Sequence, residues 1–136
     1  MEVHRLVGIP WQEVEANWSA VAPYLAKAFV GGEFELEDIK QWCIERKMQL
    51  WALSNGTELV GAGTTEIVVY PRRKVVRAVL FAGGSVEAWA RWQEPFERWA
   101  KEQGADCMQT LSKRGFHRLL KPYGFEHLYE VLSKEL

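Results

Sequence analysis

Hydrophobic residues recur along the chain at two spacings, and each spacing predicts one kind of element. Spacings of three and four residues predict helices over 11–29, from 35 to near 47, over 86–104 and over 115–121. Alternation or short apolar runs predict strands over 2–7, 49–54, 58–70, 75–81, 106–111 and 125–132. The predicted order is β-α-α-β-β-β-α-β-α-β, which indicates a mixed, mostly antiparallel α/β sheet flanked by helices.

Glycine and proline residues predict the turns between these elements and the irregularities within them. Asn55-Gly56 is a strong signal for a tight turn between antiparallel strands, and Pro71 opens the next turn. Gly61 and Gly63 lie inside a predicted strand and suggest a bulge there. Pro95 falls inside a predicted helix, so it should kink or split that helix.

Length and composition indicate one soluble globular unit. The 136 residues fit a single domain over 1–136, with 48% hydrophobic and 26% charged residues, so disorder and fibrous repeats are excluded. Most of the seven tryptophans fall on helical stripes, which predicts core positions. These stripe positions are Trp18, Trp42, Trp89, Trp92 and Trp99.

Net charge and the remaining reactive side chains exclude several classes of partner. A net charge of −1 gives no excess of positive charge for a long nucleic acid. No run of about 18 apolar residues predicts a membrane span, and the first residues lack a secretory signal, so we expect a cytoplasmic protein. Cys43 and Cys107 are predicted to be buried, and the three histidines show no metal-ligand spacing.

The element order, together with one local motif, resembles the GNAT N-acetyltransferase superfamily. The motif is the segment 114–125, Arg-Gly-Phe-His-Arg-Leu-Leu-Lys-Pro-Tyr-Gly-Phe, which looks like the family's late short helix running into Gly-Phe. The tryptophan-rich long helix, Thr65-Glu66-Ile67 and Tyr70-Pro71 further resemble small GNAT-like proteins of phages and prophages. The resemblance extends over nearly the whole chain.

This resemblance implies a function and a cofactor site. Family members transfer an acetyl group from acetyl-CoA to an amine, and the cofactor's pantetheine arm lies where the fourth and fifth strands separate. Here those strands are 75–81 and 106–111. The pyrophosphate would lie on backbone N–H groups at the following strand-to-helix turn. The implied cofactor-binding residues are Val79, Phe81, Ala82, Gly83, Gly84, Ser85 and Arg114.

Two residues are candidates for proton transfer. Glu66 follows the predicted bulge on the strand that would line the acceptor cleft, so it is the candidate general base; a solvated strand glutamate would look the same. Tyr123 is the candidate acid, because Leu120 stands where many family members have the tyrosine that protonates the leaving thiolate. The glycine turn at 83–85 is also shorter than the family's phosphate-binding turn, and an ordinary turn with Ser85 as a helix cap would look alike.

The basic residues and the chain end leave further alternatives open. Arg72, Arg73, Lys74 and Arg77 either attract an acidic partner or the nucleotide 3′-phosphate, or form a solvated hairpin turn. The family often dimerises through its last strands, which makes 125–132 the candidate homodimer segment. Two functions follow: an N-acetyltransferase for a small-molecule or protein amine, or a catalytically inactive GNAT-fold phage protein that binds another protein.

Overall fold

A computed structural model of the protein describes residues 4–28, 32–84, 89, 93–111 and 117–136. The strands are β1 (Arg5–Ile9), β2 (Met48–Ser54), β3 (Leu59–Val69), β4 (Lys74–Gly83) and β5 (Cys107–Thr110). The helices are α1 (Val14–Ala28), α2 (Leu36–Ile44), α3 (Gln93–Glu102) and α4 (His117–Leu120). Short 3₁₀ turns at Trp11–Glu13 and Lys121–Tyr123 precede α1 and follow α4.

The five described strands form one sheet in chain order, β1-β2-β3-β4-β5. The first four are antiparallel to their neighbours, and β5 runs parallel to β4 after the crossover through α3. This arrangement confirms the predicted mixed, mostly antiparallel sheet flanked by helices. The Asn55 carboxamide holds the β2–β3 turn by accepting hydrogen bonds from the Thr57 and Glu58 amides, at 3.1 and 2.8 Å.

One face of the sheet packs on α1 and α2 through aliphatic side chains. Leu50, Ala62 and Leu80 come from three adjacent strands, and each is at most 4% exposed. They meet buried side chains from the two helices, chiefly Val14, Val21, Leu25, Ile39 and Cys43. Burial of this apolar area is the main favourable term in folding, and it fixes which side of each strand faces inward.

The opposite face packs on α3 through aromatic rings. Trp51 on β2 lies 4.8 Å from the Phe96 ring and 4.9 Å from the Trp99 ring, centre to centre. Gly63 lies between Trp51 and Phe81 in the strand register. A Cβ at Gly63 would come within 2.4 Å of the Phe81 ring, so this position must lack a side chain. The tryptophans 18, 42, 89 and 99 are half-buried, and Trp92 is outside the described residues.

The predicted final strand is wrong. Residues 125–132 adopt no strand, and the side chains of Leu128, Tyr129, Val131 and Leu132 are all exposed. Alternation expresses only a preference for extended backbone, whereas a strand also needs the edge of another strand to pair with. No described strand pairs with this segment, so β5 is the last strand of the described sheet.

Pro95 and the strand irregularities lie partly where the sequence predicts them. Pro95 lies in the first turn of α3, where its missing N–H group costs little, and the upstream part of the predicted helix is largely outside the described residues. The register is irregular at Val60, beside Gly61, as expected, but a second irregularity lies at Val79 on β4. None of the described helices has the length and apolar character that crossing a membrane requires.

Candidate functional site

The pairing of β4 with β5 stops halfway along β4. Residues Val75–Ala78 pair with Cys107–Thr110, and a last hydrogen bond runs from the Leu111 N–H to the Ala78 carbonyl at 3.0 Å. Beyond that point β4 continues to Gly83, still paired with β3 but with no described strand on its other side. The backbone of Val79–Gly83 therefore has an open side within the described part of the chain, and we call this opening the β4–β5 cleft.

Val79 is the residue at which β4 changes. Thr64 pairs with Leu80 and Thr65 pairs with Ala78, so Val79 is an extra residue with no partner on β3. An extra residue bends a strand and increases its local twist. The bulge therefore coincides with the point where β4 and β5 separate.

Most of the predicted cofactor-binding residues lie along this cleft. Those described are Val79, Phe81, Ala82, Gly83 and Gly84, and each is half-buried or exposed. Gly83 and Gly84 have φ angles of 84° and 65°, which turn the backbone away from the strand in a conformation that favours glycine. The other two predicted residues, Ser85 and Arg114, are outside the described residues.

The aromatic rings beside β4 lie on a face of the sheet rather than in the cleft. The Phe81 ring packs edge-on against the Trp89 ring at 4.7 Å, and the Trp89 indole N–H donates to the Gly83 carbonyl at 2.7 Å. Side chains of a strand stand roughly perpendicular to the sheet, whereas the cleft lies in its plane. Among the described residues no aromatic contact crosses from β4 to β5.

Glu66 is held next to the closed end of the cleft by an ion pair. Glu66 pairs with Arg77 across β3 and β4. The neighbouring pair, Thr65 with Ala78, is the last one before the bulge at Val79. The Arg77 Nη1 lies 3.3 Å from the Glu66 Oε1, and the Glu66 side chain is 34% exposed. The predicted base is therefore within one residue of the separation point and partly exposed to solvent, but it is already paired with a cation.

Arg77 connects Glu66 to a wider polar network. Its Nη2 donates to the Tyr70 hydroxyl at 2.8 Å and to the Gln109 Oε1 at 3.2 Å. Burial alone would lower the pKa of Arg77, but the Tyr70 hydroxyl and the Glu66 carboxylate outweigh it, so its pKa is raised. The guanidinium thus stays charged and fixes the orientation of three side chains from three elements.

Tyr123 is not brought to this site by any described contact. It lies at the end of the second 3₁₀ turn, its side chain is 41% exposed, and no hydrogen bond or ring contact joins it to β4 or Glu66. The next residue, Gly124, has a φ of 90° and ends the turn. Tyr123 therefore stays a sequence prediction, and Leu120 in the family's tyrosine position is half-buried.

The predicted basic cluster divides into separate roles. The Lys74 Nζ donates to the Gln103 carbonyl, so this lysine is attached to the end of α3. Arg77 belongs to the Glu66 network, whereas the Arg72 and Arg73 side chains are exposed at the β3–β4 turn. Within the described part of the chain, Arg72 and Arg73 are the two members of this cluster with no ion-pair partner, so they can attract an anion from solvent.

The cysteines and histidines give no second reactive centre in the described part of the chain. Burial raises the pKa of the Cys43 thiol to about 12, so it acts as a core side chain. Cys107 is only half-buried, which corrects the prediction that both thiols are buried. Over the described ranges no three His, Cys, Asp or Glu side chains are grouped as metal ligands.

Arg77 belongs to the Glu66 network of the candidate site, although its place in the sequence grouped it with the basic residues of the hairpin turn. The β3–β4 hairpin turns at Pro71 and Arg72, and the Tyr70 N–H donates to the Arg73 carbonyl at 2.8 Å. Counting equal distances from that turn pairs Glu66 with Arg77, which the sequence alone could have indicated. Gln109 could not be found this way, because its register depends on the crossover through α3.

Comparison with solved structures identifies this arrangement. The fold is that of the GNAT acetyltransferases. A predicted acetyltransferase from Clostridium acetobutylicum, solved with acetyl-CoA, superimposes with a TM-score of 0.69 at 9% identity, over 98% of this chain and 96% of that one. A GNAT family acetyltransferase from Staphylococcus aureus gives 0.66 at 13% identity over 100% of both chains.

An aminoglycoside N-acetyltransferase in complex with CoA has a TM-score of 0.67 at 12% identity, over 100% of this chain and 96% of that one. No protein-family model matches the sequence, and no curated protein matches it. Since the identities are this low, the likeness shows the GNAT fold, and function has to be argued from the site.

Proposed function

We propose that this protein is an acetyl-CoA-dependent N-acetyltransferase that acts on an amine acceptor. The observation that carries the proposal is the open side of β4 beyond Ala78, where backbone groups of Val79–Gly83 have no described strand partner. Backbone polar groups away from a strand partner need another donor or acceptor. An amide-containing arm lying along the cleft would provide both.

The described residues fit such a ligand. Gly83 and Gly84 lack side chains at the end of the cleft, so a phosphate group can approach the backbone closely. The Gly83 carbonyl already accepts a hydrogen bond from the Trp89 indole. We therefore propose that the N–H groups of this turn are the donors that face the ligand. Ser85 and Arg114 complete the proposed cofactor set as sequence predictions.

Acetyl-CoA, when bound, supplies the acetyl thioester. In the proposed reaction Glu66 accepts a proton from the acceptor ammonium, directly or through one water, because only the neutral amine can attack a carbonyl carbon. The new N–C bond would form as the C–S bond breaks; the attacking nitrogen would release its second proton to solvent, and the departing sulfur would take up a proton from solvent or from Tyr123. Arg77 keeps the Glu66 carboxylate in one orientation.

Ligand-dependent thermal unfolding tests the proposal. At 100 times its dissociation constant, acetyl-CoA should raise the free energy of unfolding by about 2.7 kcal/mol. For a chain of this size this corresponds to roughly 8 °C in Tm. Adenosine 3′,5′-bisphosphate, which lacks the pantetheine arm, is the control and should give a smaller shift.

Turnover separates an enzyme from a cofactor-binding scaffold. Glu66→Gln should lower CoA release with an amine by about 100-fold while leaving the acetyl-CoA shift in Tm unchanged. Glu94→Gln removes a solvent-exposed carboxylate paired with Arg98 and should leave turnover unchanged. If acetyl-CoA produces no shift at millimolar concentration, the enzyme proposal fails and the alternative of an inactive binding protein, including the phage resemblance, becomes the working prediction.

A further inference from the structure

A groove of about 380 Å³ lies beside the Glu66 network, at the turn end of β3 and β4. Its walls are formed by Tyr70, Pro71, Arg72, Arg73, Val75 and Gln109. Val75 is two residues from Arg77 on the same strand and Gln109 is opposite Arg77, so the groove lies on the face of the sheet that carries Glu66. Its volume is in the range of small-molecule sites.

Hydrogen bonds from Arg77 hold two of the side chains that line this groove. Arg77 hydrogen-bonds to both the Tyr70 hydroxyl and the Gln109 carboxamide oxygen, so two of the lining side chains have defined positions. The buried Nε of Arg77 has no hydrogen-bond partner among the described residues, so one donor of this guanidinium is unused there. A rigid wall needs little further ordering when a ligand binds.

The groove carries uncompensated positive charge. Glu66 balances Arg77, and the Asp106 carboxylate accepts a hydrogen bond from the Lys74 backbone N–H. The Arg72 and Arg73 side chains make no ion pair with any carboxylate in the described residues. Guanidinium groups present a planar fork of donors that suits carboxylate and phosphate oxygens.

The position of the groove gives a distance to the proposed reaction centre. Val75 lines the groove, and the strands separate after Ala78, three residues further along β4. Three residues of a strand span about 10 Å. An acceptor whose nitrogen lies at the cleft would therefore place a group about 10 Å away beside Val75, in the groove that Arg72 and Arg73 also line.

We propose that the acceptor amine carries an anionic group, a carboxylate or a phosphate, about 10 Å from its nitrogen, and that Arg72 and Arg73 bind this group. The inference rests on the proposed function for the amine end, but the anion site itself requires no catalysis. The same two charges would repel a polycationic acceptor such as an aminoglycoside, which is the acceptor class of one structural neighbour.

Peptides test the proposal because three extended residues span about 10 Å. The probes are N-acetyl-triglycine with a free carboxylate, its C-terminal amide, and inorganic phosphate, measured by titration calorimetry at low ionic strength. The acid should bind about tenfold more tightly than the amide, and the difference should shrink in high salt. Competition by phosphate at concentrations below those of the peptide would assign the site to phosphate esters rather than carboxylates.

The variants R72Q and R73Q, combined, should abolish the preference for the acid. R5Q is the matched control, since Arg5 is exposed on β1 at the opposite edge of the sheet, and it should retain the preference. Unchanged Tm values would show that each variant folds. Equal binding of acid and amide, persistence of the preference in the double variant, or no binding of either peptide at 10 mM would overturn the inference.

Failure of this inference differs from failure of the proposed function. Binding of N-acetyl-triglycine needs no acetyl-CoA, so it can succeed when the cofactor test fails. In the reverse case, a protein that binds acetyl-CoA and acetylates triglycine and triglycine amide equally well would be an acetyltransferase without the anion site.

Discussion

The two halves of β4 differ in their strand neighbours, because β5 pairs with the first half and not with the second. In the half from Lys74 to Ala78, residues Val75–Ala78 have a strand on each side, and Arg77 is tied to β3 and β5 by side-chain hydrogen bonds. In the half from Val79 to Gly83, β3 is the one strand neighbour among the described residues, and Gly83 and Gly84 at its end have positive φ angles. Pairing on both sides satisfies the backbone groups of the first half, whereas the second half has backbone groups without a described strand partner, where we propose that the cofactor binds.

Gly83→Ala should cause the largest loss of stability, because the new Cβ would clash with β3 and the backbone conformation there favours glycine. A Cβ there would lie 2.3 Å from the Val60 carbonyl oxygen, and the φ of 84° strains any other residue. We expect a loss of about 4 kcal/mol in the free energy of unfolding, measured by denaturant titration.

Gly104→Ala is the control, at a glycine in the turn between α3 and β5 that lies beside Lys74, the first residue of β4. Gly104 has a similar φ of 79°, but the nearest atom to its Cβ position is the flexible Lys74 Nζ at 3.7 Å. It should cost only about 1–2 kcal/mol, the price of the backbone conformation alone. Equal losses in the two variants would show that close contact with β3 does not constrain the open half.

Gly63→Ala should have the next largest effect, because it presses on the open half from β3. Its Cβ would lie 2.4 Å from the Phe81 ring, and overpacking of this kind costs about 1–3 kcal/mol. Phe81→Leu removes the ring, so the second substitution should cost less in the Gly63→Ala background than in the original protein. A double-mutant cycle from chemical denaturation gives this coupling, and strict additivity would argue that the two positions do not touch.

Arg77→Met should have the smallest effect of the three, and it acts on the paired half. Removing the guanidinium leaves the partly exposed Glu66 carboxylate without its cation, for an expected loss of about 1–2 kcal/mol in unfolding free energy. Arg98→Met breaks an exposed pair with Glu94 within α3 and should cost about 0.5 kcal/mol or less. If Arg77→Met lowers the free energy of unfolding no more than Arg98→Met does, the Arg77 network does not stabilise the paired half of β4.

The sequence predicted those parts of the fold that depend on local pattern. Helical spacing and strand alternation located α1, α2 and the β2–β3–β4 meander, because burial of one face imposes the period on the residues themselves. The Asn55-Gly56 and Pro71 turns also follow from local backbone preferences. The same local reasoning failed for 125–132, where the alternation is present but no described strand accepts it.

Part of the candidate site could be predicted in the same way. Glu66 and the glycine turn at 83–84 were found from their places in the element order, and the turn symmetry of the hairpin would also have paired Glu66 with Arg77, which was predicted only as part of the basic cluster. The bulge at Val79 could not be located, because it depends on how β4 fits against β3 and β5 together. Gly63 suggested a bulge in the sequence, whereas its actual reason is the Phe81 ring on the neighbouring strand.

By itself, then, the sequence determined the order of elements as far as α4, the apolar faces and the hairpin that brings Glu66 opposite Arg77, since all of these follow from contacts between residues close in the chain. The tertiary structure alone decided where β5 stops pairing with β4, how Gln109 joins the Arg77 network and which arginines remain unpaired around the groove. These features arise where the chain returns after a crossover of more than twenty residues, and no short-range pattern encodes the register of that return.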